Sequence, residues 1–218
     1  MSSKDTITEK ANRLLRTGDF RKALHIYKRA VRLYPKQAYT HHNYAFVLQE
    51  LGNLTEALKE YKRAIRLDSG DIASVNNSGN IRFAQGDYEQ ALFSYRQCVE
   101  MDTGCADHHY NIGVTLSALS RDTEAIEAIE KAIEIGTFDA SVYLAYGNAL
   151  SRTGNYIDAV AAYRTGLELD HEHGLLYTGL AVTLEMIDKY EEAIEAWRGA
   201  LHFGDAQSQA EALQRIRG

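Results

Sequence analysis

The sequence predicts an all-α fold, a solenoid of six stacked helical pairs with a short helix at its C-terminal end. Alanine recurs every 34 residues, at positions 23, 57, 91, 125, 159 and 193. A turn glycine, an aromatic residue and a second small residue recur in the same register, for example at Gly52, Tyr61 and Ala64. Apolar residues within each copy are spaced by three and four, which is typical of amphipathic helices rather than strands. Self-similarity at a fixed period of this length indicates a repeat array.

Each copy is predicted to contain a first helix, a tight turn and a second helix. In the second copy, one apolar stripe runs from His41 to Leu48 and another from Leu54 to Leu67. Gly52 lies between the stripes, where glycine can adopt the left-handed backbone conformation that ends a helix at little cost. Ser120 and Asp188 replace this glycine in two copies.

The repeat register predicts the division of the chain. Residues 1–3 form an N-terminal tail, and the repeats occupy 4–37, 38–71, 72–105, 106–139, 140–173 and 174–207. The segment Ser208-Gln-Ala-Glu211 matches a capping box, so 208–218 is predicted to be a C-terminal capping helix.

The recurring alanines predict where helices cross. Two helices approach to about 8–10 Å where the side chains at the crossing are small. An aromatic residue four positions later lies one turn along the same face and fills the adjoining space. Because a single helical pair cannot bury its apolar stripe, neighbouring pairs must stack and share a core.

These positions together resemble the tetratricopeptide repeat family over 204 of the 218 residues. The match includes the Ala or Gly of the first helix, at Ala11, Ala45, Gly79, Gly113, Gly147 and Ala181. Two departures are that the family's inter-repeat proline is present only as Pro35, and that Arg82 stands where other copies have leucine. The resemblance implies a right-handed superhelix in which first helices line a concave groove, second helices cover the convex side, and the groove binds peptides or partner segments.

Charge and composition exclude several classes of function. The net charge is −6, yet repeat one holds ten basic and three acidic residues, whereas each later repeat is negative. Only one repeat could attract phosphates, so we expect no nucleic-acid binding. The sequence offers no signal peptide and no long apolar run, which predicts a cytoplasmic protein without membrane insertion. Cys98 and Cys105 are predicted to be reduced.

Two rows of asparagine are the strongest candidate binding residues. They are Asn43, Asn77 and Asn111, and, three residues further along the first helix, Asn12, Asn80 and Asn148. An amide can both donate to and accept from a peptide backbone unit. Aromatic residues nearby on the first helices are Tyr39, Phe46, Phe83 and Tyr110. The rows resemble the asparagine ladder in the tetratricopeptide groove of protein O-GlcNAc transferase. Alternatively, the asparagines are tolerated on a solvated face or cap neighbouring helices.

No motif indicates an enzyme, a cofactor or a metal site. The recurring glycines lie at repeat turns or at the first-helix position named above, and no phosphate-binding loop or nucleophile elbow is present. The pairs His41-His42 and His108-His109 are adjacent on a helix, so their side chains point about 100° apart and cannot chelate together.

The sequence therefore predicts a non-enzymatic scaffold or adaptor that binds a peptide or partner protein in its groove. The alternative is a self-assembly module, a weak homo-oligomer that associates head to tail through the basic first repeat and the acidic later repeats.

Overall fold

The computed structural model describes residues 3–137 and 139–217, and this part of the chain contains helices and no strand. The helices are α1 Ser3–Arg16, α2 Phe20–Leu33, α3 Ala38–Glu50, α4 Leu54–Leu67, α5 Ile72–Ala84, α6 Tyr88–Met101, α7 Ala106–Ala118, α8 Asp122–Ile135, α9 Ala140–Arg152, α10 Tyr156–Leu169, α11 Gly174–Met186, α12 Tyr190–Phe203 and α13 Ala206–Arg217. None of these helices combines the length and apolarity that crossing a bilayer requires. The predicted N-terminal tail lies partly outside the described residues, since α1 begins at Ser3.

The helices form two compact units, one up to Thr103 and the other from Gly104 onward. In the first unit, α1 to α6 pack pairwise in chain order, each helix against the next. In the second unit, α7 to α13 do the same, and α9 additionally contacts α7 and α11. This pairwise packing confirms the all-α solenoid expected from the repeat.

The turn between the helices of a pair requires a left-handed residue in every repeat. Gly52 has φ of +76°. The N–H of Gly52 donates to the carbonyl of Gln49 at 2.9 Å, and that of Asn53 donates to the carbonyl of Leu48 at 2.8 Å. These two bonds form a Schellman motif, which satisfies carbonyls at the end of α3. Ser120 and Asp188 adopt the same conformation, with φ of +59° and +60°.

The recurring alanines and aromatics form the core of both units. Ala57 and Tyr61 are fully buried in the first unit, and Ala159 and Tyr163 are buried in the second. Space around the aromatic ring is tight, because a Cβ placed on Gly147 would lie 2.5 Å from the Tyr163 ring. The first helix therefore needs a small residue where it faces this ring.

Arg82 finds a polar partner where other repeats bury leucine. Its guanidinium donates to the Ser94 hydroxyl at 2.8 Å. Ser94 is itself buried, and its hydroxyl donates to the carbonyl of Gln90 at 3.1 Å. Repeat three thus accommodates the arginine through a matching hydroxyl on its second helix.

A buried polar pair joins α3 and α4. His41 Nδ1 lies 2.6 Å from Glu60 Oε2, and His41 Nε2 lies 3.1 Å from the carbonyl of Pro35. Arg63 donates to the second carboxylate oxygen of Glu60 at 2.7 Å. His42, the adjacent histidine, instead lies 2.8 Å from the hydroxyl of Ser74. The two histidines therefore serve separate interactions.

The last helix begins two residues earlier than the capping-box pattern predicts. Asp205 caps α13, because its carboxylate accepts the backbone N–H of Ser208 at 2.8 Å. This hydrogen bond lowers the pKa of Asp205. The proposed capping role of Ser208 was wrong, because an aspartate three residues upstream supplies a stronger acceptor. Helix α13 packs on α12 and α11, and Arg215 pairs with Glu185 at 2.9 Å.

Candidate functional site

The ten candidate binding residues all lie on first helices of repeats. They are Asn12 on α1; Tyr39, Asn43 and Phe46 on α3; Asn77, Asn80 and Phe83 on α5; Tyr110 and Asn111 on α7; and Asn148 on α9. Their surroundings differ, so the two asparagine rows are not equivalent.

The row of Asn12, Asn80 and Asn148 holds the buried tyrosines of the second helices. The hydroxyl of Tyr95 donates to Asn80 Oδ1 at 2.7 Å, and that of Tyr163 donates to Asn148 Oδ1 at 2.8 Å. The hydroxyl of Tyr27 donates to Asn12 Oδ1 in the same way. Burial raises the pKa of Tyr95 and of Tyr163 to about 12, so these hydroxyls stay protonated at neutral pH.

The first-helix position of Asn12, Asn80 and Asn148 carries asparagine only in repeats with a tyrosine fifteen residues later. In those repeats the tyrosine hydroxyl donates to the asparagine carbonyl oxygen. In repeat four the corresponding residues are Val114 and Ile129, which have no polar group to pair. Repeats two and six have Phe46 and Val182 at this place, and there the second-helix aromatics bond elsewhere: Tyr61 donates to Gln49 at 3.0 Å and Trp197 donates to Glu185 at 2.7 Å. The asparagine carbonyl therefore has a structural role that the sequence interpretation missed, although the spacing of fifteen could have revealed it.

The other row is only partly accessible. Asn43 is 9% exposed, and its amide nitrogen donates to Asn12 Oδ1 at 3.5 Å. Asn77 is half-buried and donates to the hydroxyl of Tyr61 at 3.1 Å. Asn111 is half-buried on α7. Asn43 and Asn77 thus bond within the protein and are less available to a ligand than the sequence interpretation assumed.

The candidate aromatic residues also divide into packed and exposed positions. Phe46 packs edge-on against Phe20 with 6.3 Å between ring centroids, and Phe83 packs against Tyr88 at 5.2 Å. Tyr110 packs on the core of the second unit. Tyr39 is more than half exposed.

A cleft of about 340 Å³ opens in the second unit between α9 and α11. Its apolar lining comes from Leu144, Leu175 and Val182, and its polar lining comes from Asn148, Ser151, Arg152, Thr178 and Thr183, with Tyr163 and Gly179 completing it. The cleft includes one predicted residue, Asn148, and nine that the sequence interpretation did not single out. Both walls are first helices, as expected for the binding face.

Polar groups around the cleft are held in place from within the unit. Arg152 donates to Asp122 Oδ1 from Nη2 at 2.6 Å and from Nε at 3.0 Å. Thr183 donates to the hydroxyl of Ser151 at 3.3 Å. Gly179 keeps the cleft deep, because a Cβ there would lie 2.7 Å from the Tyr163 ring. The cleft is thus a preformed concavity with apolar walls and oriented polar groups.

Comparisons with solved structures show the same fold. YrrB, described as a tetratricopeptide repeat protein with an unusual peptide-binding site, is 22% identical with a TM-score of 0.72, covering 86% of this chain and 97% of that one. PilF of Pseudomonas aeruginosa is 20% identical with a TM-score of 0.78, covering 97% of each chain. A tetratricopeptide repeat protein of Parabacteroides merdae is 20% identical with a TM-score of 0.82, covering 99% of this chain and 86% of that one.

Sequence comparison agrees with the structural likeness. No curated protein matches the chain. Tetratricopeptide repeat models match residues 37–104 in one case and residues 77–140 and 144–212 in another. The matched segments include the turns and the buried alanine and aromatic positions described above. The chain therefore belongs to the tetratricopeptide repeat family.

Proposed function

We propose that this chain is a non-enzymatic scaffold whose first helices bind an extended peptide or partner segment. The observation that carries this proposal is the cleft between α9 and α11, because it is concave, apolar on its walls and lined by first helices. Tetratricopeptide repeat domains bind protein or peptide partners, and one structural neighbour, YrrB, is described by its peptide-binding site.

The size of the cleft favours an amino-acid side chain as its occupant. Small-molecule pockets span about 300–1,000 Å³ and enclose most of the ligand. This cleft is at the lower end of that range, and its first-helix lining residues on both sides are exposed or half-buried apart from the buried Thr183. An aliphatic side chain of a bound segment would pack between Leu144, Leu175 and Val182, and full burial of such a side chain contributes about 1.5–3 kcal/mol.

The amide of Asn148 supplies the polar half of the proposed contact. Its carbonyl oxygen accepts from Tyr163, which orients the side chain. Its Nδ2 has no partner among the residues that the structure describes, so it is available to donate to a backbone carbonyl of the bound segment. Asn80, which is exposed and accepts from Tyr95, offers the same arrangement in the first unit. We propose that Asn12, whose carbonyl oxygen accepts from Tyr27, offers the same arrangement in repeat one, and that Asn43, Asn77 and Asn111 add weaker polar contacts within their own repeats.

A matched pair of variants tests whether the cleft is the binding face. Peptides are selected from a random phage-displayed library against the intact chain, and the affinity of a selected synthetic peptide is then measured by calorimetry. Leu175 is 50% exposed in the cleft, whereas Ile157 is 68% exposed on the second helix α10. Leu175→Glu should weaken binding at least tenfold, because it places a carboxylate in the apolar wall. Ile157→Glu should change it less than twofold.

Asn148→Asp tests the amide itself. The aspartate keeps an acceptor for Tyr163 but removes the Nδ2 donor, so binding should weaken while thermal stability changes little. Undiminished peptide affinity in both Leu175→Glu and Asn148→Asp would contradict the proposed site.

Self-association is the second candidate function. The opposite charges of α2 and α8 favour it, since α2 carries five basic residues and no acidic one, whereas α8 carries five acidic residues and one lysine.

A further inference from the structure

The basic surface of α2 has a single counter-charge, Asp19, among the residues that the structure describes. Arg21, Lys28, Arg29 and Arg32 are exposed on this helix. Lys22 pairs with Asp19 at 2.7 Å, and no other ion pair to α2 occurs among the described residues. The second helices α4, α8 and α12 differ, because each contains a base and an acid paired three residues apart.

Helix α8 presents the opposite charge. Glu124, Glu127, Glu130 and Glu134 are exposed along it, and Lys131 is its single basic residue. Lys131 pairs with Glu134 at 2.5 Å, and both side chains are more than half exposed. Exposed pairs of this kind are weak and exchange readily with other partners. Arg121 pairs with Glu124 at 2.6 Å. The acidic surface of α8 therefore lies toward its C-terminal half, at Glu127, Glu130 and Glu134.

One end of each helix carries charges that oppose its own dipole. The first turn of α2 contains Arg21 and Lys22 and no acidic residue. The last turn of α8 contains Glu134 and no basic residue after it. Both arrangements oppose the helix dipole, which favours acids at the N-terminus and bases at the C-terminus.

We propose that α2 of one copy of this chain docks along α8 of a second copy, an inference that rests on the second candidate function. Arg21 and Lys28 are seven residues apart, as are Glu127 and Glu134. Seven residues correspond to about 10.5 Å along a helix. Two helices placed side by side can therefore pair both basic residues with both acidic ones. A polyanion such as a nucleic acid fits less well, because every repeat after the first is negatively charged.

Charge reversal in both helices tests the contact on the intact chain. One variant carries Arg21→Glu and Lys28→Glu, the other carries Glu127→Lys and Glu134→Lys, and the control carries Lys62→Glu and Arg66→Glu on α4. Sedimentation velocity is measured at 20 mM and 300 mM salt, because screening shortens the range of these charges severalfold over that interval. Reversal at Arg21 and Glu134 improves the match to the helix dipoles, so we expect both variants to fold, as checked by circular dichroism.

The wild type and the α4 control should associate at 20 mM salt and dissociate at 300 mM. Each reversal variant alone should associate at least tenfold more weakly, and an equimolar mixture of the two should associate again, because their charges are complementary. If the wild type associates but neither reversal weakens it, the α2–α8 contact is refuted while self-association stands. A monomeric wild type at low salt and high concentration would overturn both.

Discussion

The buried pair of His41 and Glu60 allows a quantitative test of how the repeat accommodates polar groups in its core. His41 makes two buried polar contacts, one from Nδ1 to Glu60 Oε2 at 2.6 Å and one from Nε2 to the carbonyl of Pro35, which can only accept. The two residues are 3% and 2% exposed. Both side chains are therefore shielded from water, so that removing one leaves a polar group of the other buried without this partner.

The variants replace His41 and Glu60 with the residues that repeats five and six have at the equivalent positions. At the equivalent positions they carry tyrosine and alanine, as Tyr143 with Ala162 and Tyr177 with Ala196. Glu60→Ala alone leaves a buried donor unsatisfied and should cost about 1–3 kcal/mol. His41→Tyr alone removes one partner of the buried carboxylate and should cost a similar amount. The double variant introduces the tyrosine and alanine pair that repeats five and six already contain. Replacing a buried polar pair with apolar groups often leaves the free energy of unfolding unchanged.

The assay is a double-mutant cycle by urea unfolding, with thermal unfolding in parallel. A loss of about 2 kcal/mol corresponds to a fall of roughly 4–8 °C in Tm for a chain of this size. We expect the two single losses to be non-additive, with a coupling of about 1–3 kcal/mol. Lys62→Ala, at an exposed position of α4, is the control and should leave stability unchanged. Simple additivity of the two substitutions would refute the reasoning.

Three further predictions concern the turns, the crossings and the tyrosines. Ser120→Gly should raise the free energy of unfolding in urea by about 0.5–1 kcal/mol, because relief of a left-handed non-glycine residue exceeds the entropy that glycine adds to the unfolded chain. A lower free energy of unfolding would contradict this. Ala159→Leu should destabilise by about 1–3 kcal/mol, because Ala159 is fully buried, and an unchanged Tm would show that the crossing is not tight. Burial raises the pKa of Tyr163 to about 12, above the value near 10 of an unfolded tyrosine. The contribution of Tyr163 to the free energy of unfolding is therefore intact below pH 10 and falls by about 1.4 kcal/mol per pH unit up to pH 12. Tyr163→Phe should make the fall of the unfolding free energy between pH 10 and pH 12 less steep. An equal slope in the variant and the wild type would contradict this.

Several features of the fold were predictable because they depend on local sequence. The 34-residue period indicates which positions face a neighbouring helix, because every helix crossing needs a small residue at the same position of the repeat. The left-handed turn was predictable from Gly52, and the structure shows that Ser120 and Asp188 follow the same backbone despite their side chains. The start of α13 was predicted wrongly, because Asp205 and Ser208 both have side chains that can cap a helix.

The site was less predictable, because a polar side chain near a helix crossing has several partners within reach. Asn43 and Asn80 are first-helix asparagines three positions apart in the repeat, yet one is buried against Asn12 and the other is exposed and bonded to Tyr95. Arg152 forms part of the cleft because Asp122, thirty residues away, holds its guanidinium. The pairing of Arg152 with Asp122 has no signature in the repeat period, whereas the role of Asn80 has one only in its spacing of fifteen residues from Tyr95.

The sequence by itself therefore determined the family, the all-α solenoid and the positions of the helices, because these follow from periodic burial of small and aromatic residues. The tertiary structure decided which asparagines support tyrosines, that His41 pairs with Glu60, and where a cleft opens between first helices. These outcomes depend on the distance and angle between neighbouring helices, because a shift of a few ångströms decides whether two polar side chains form a hydrogen bond or face solvent.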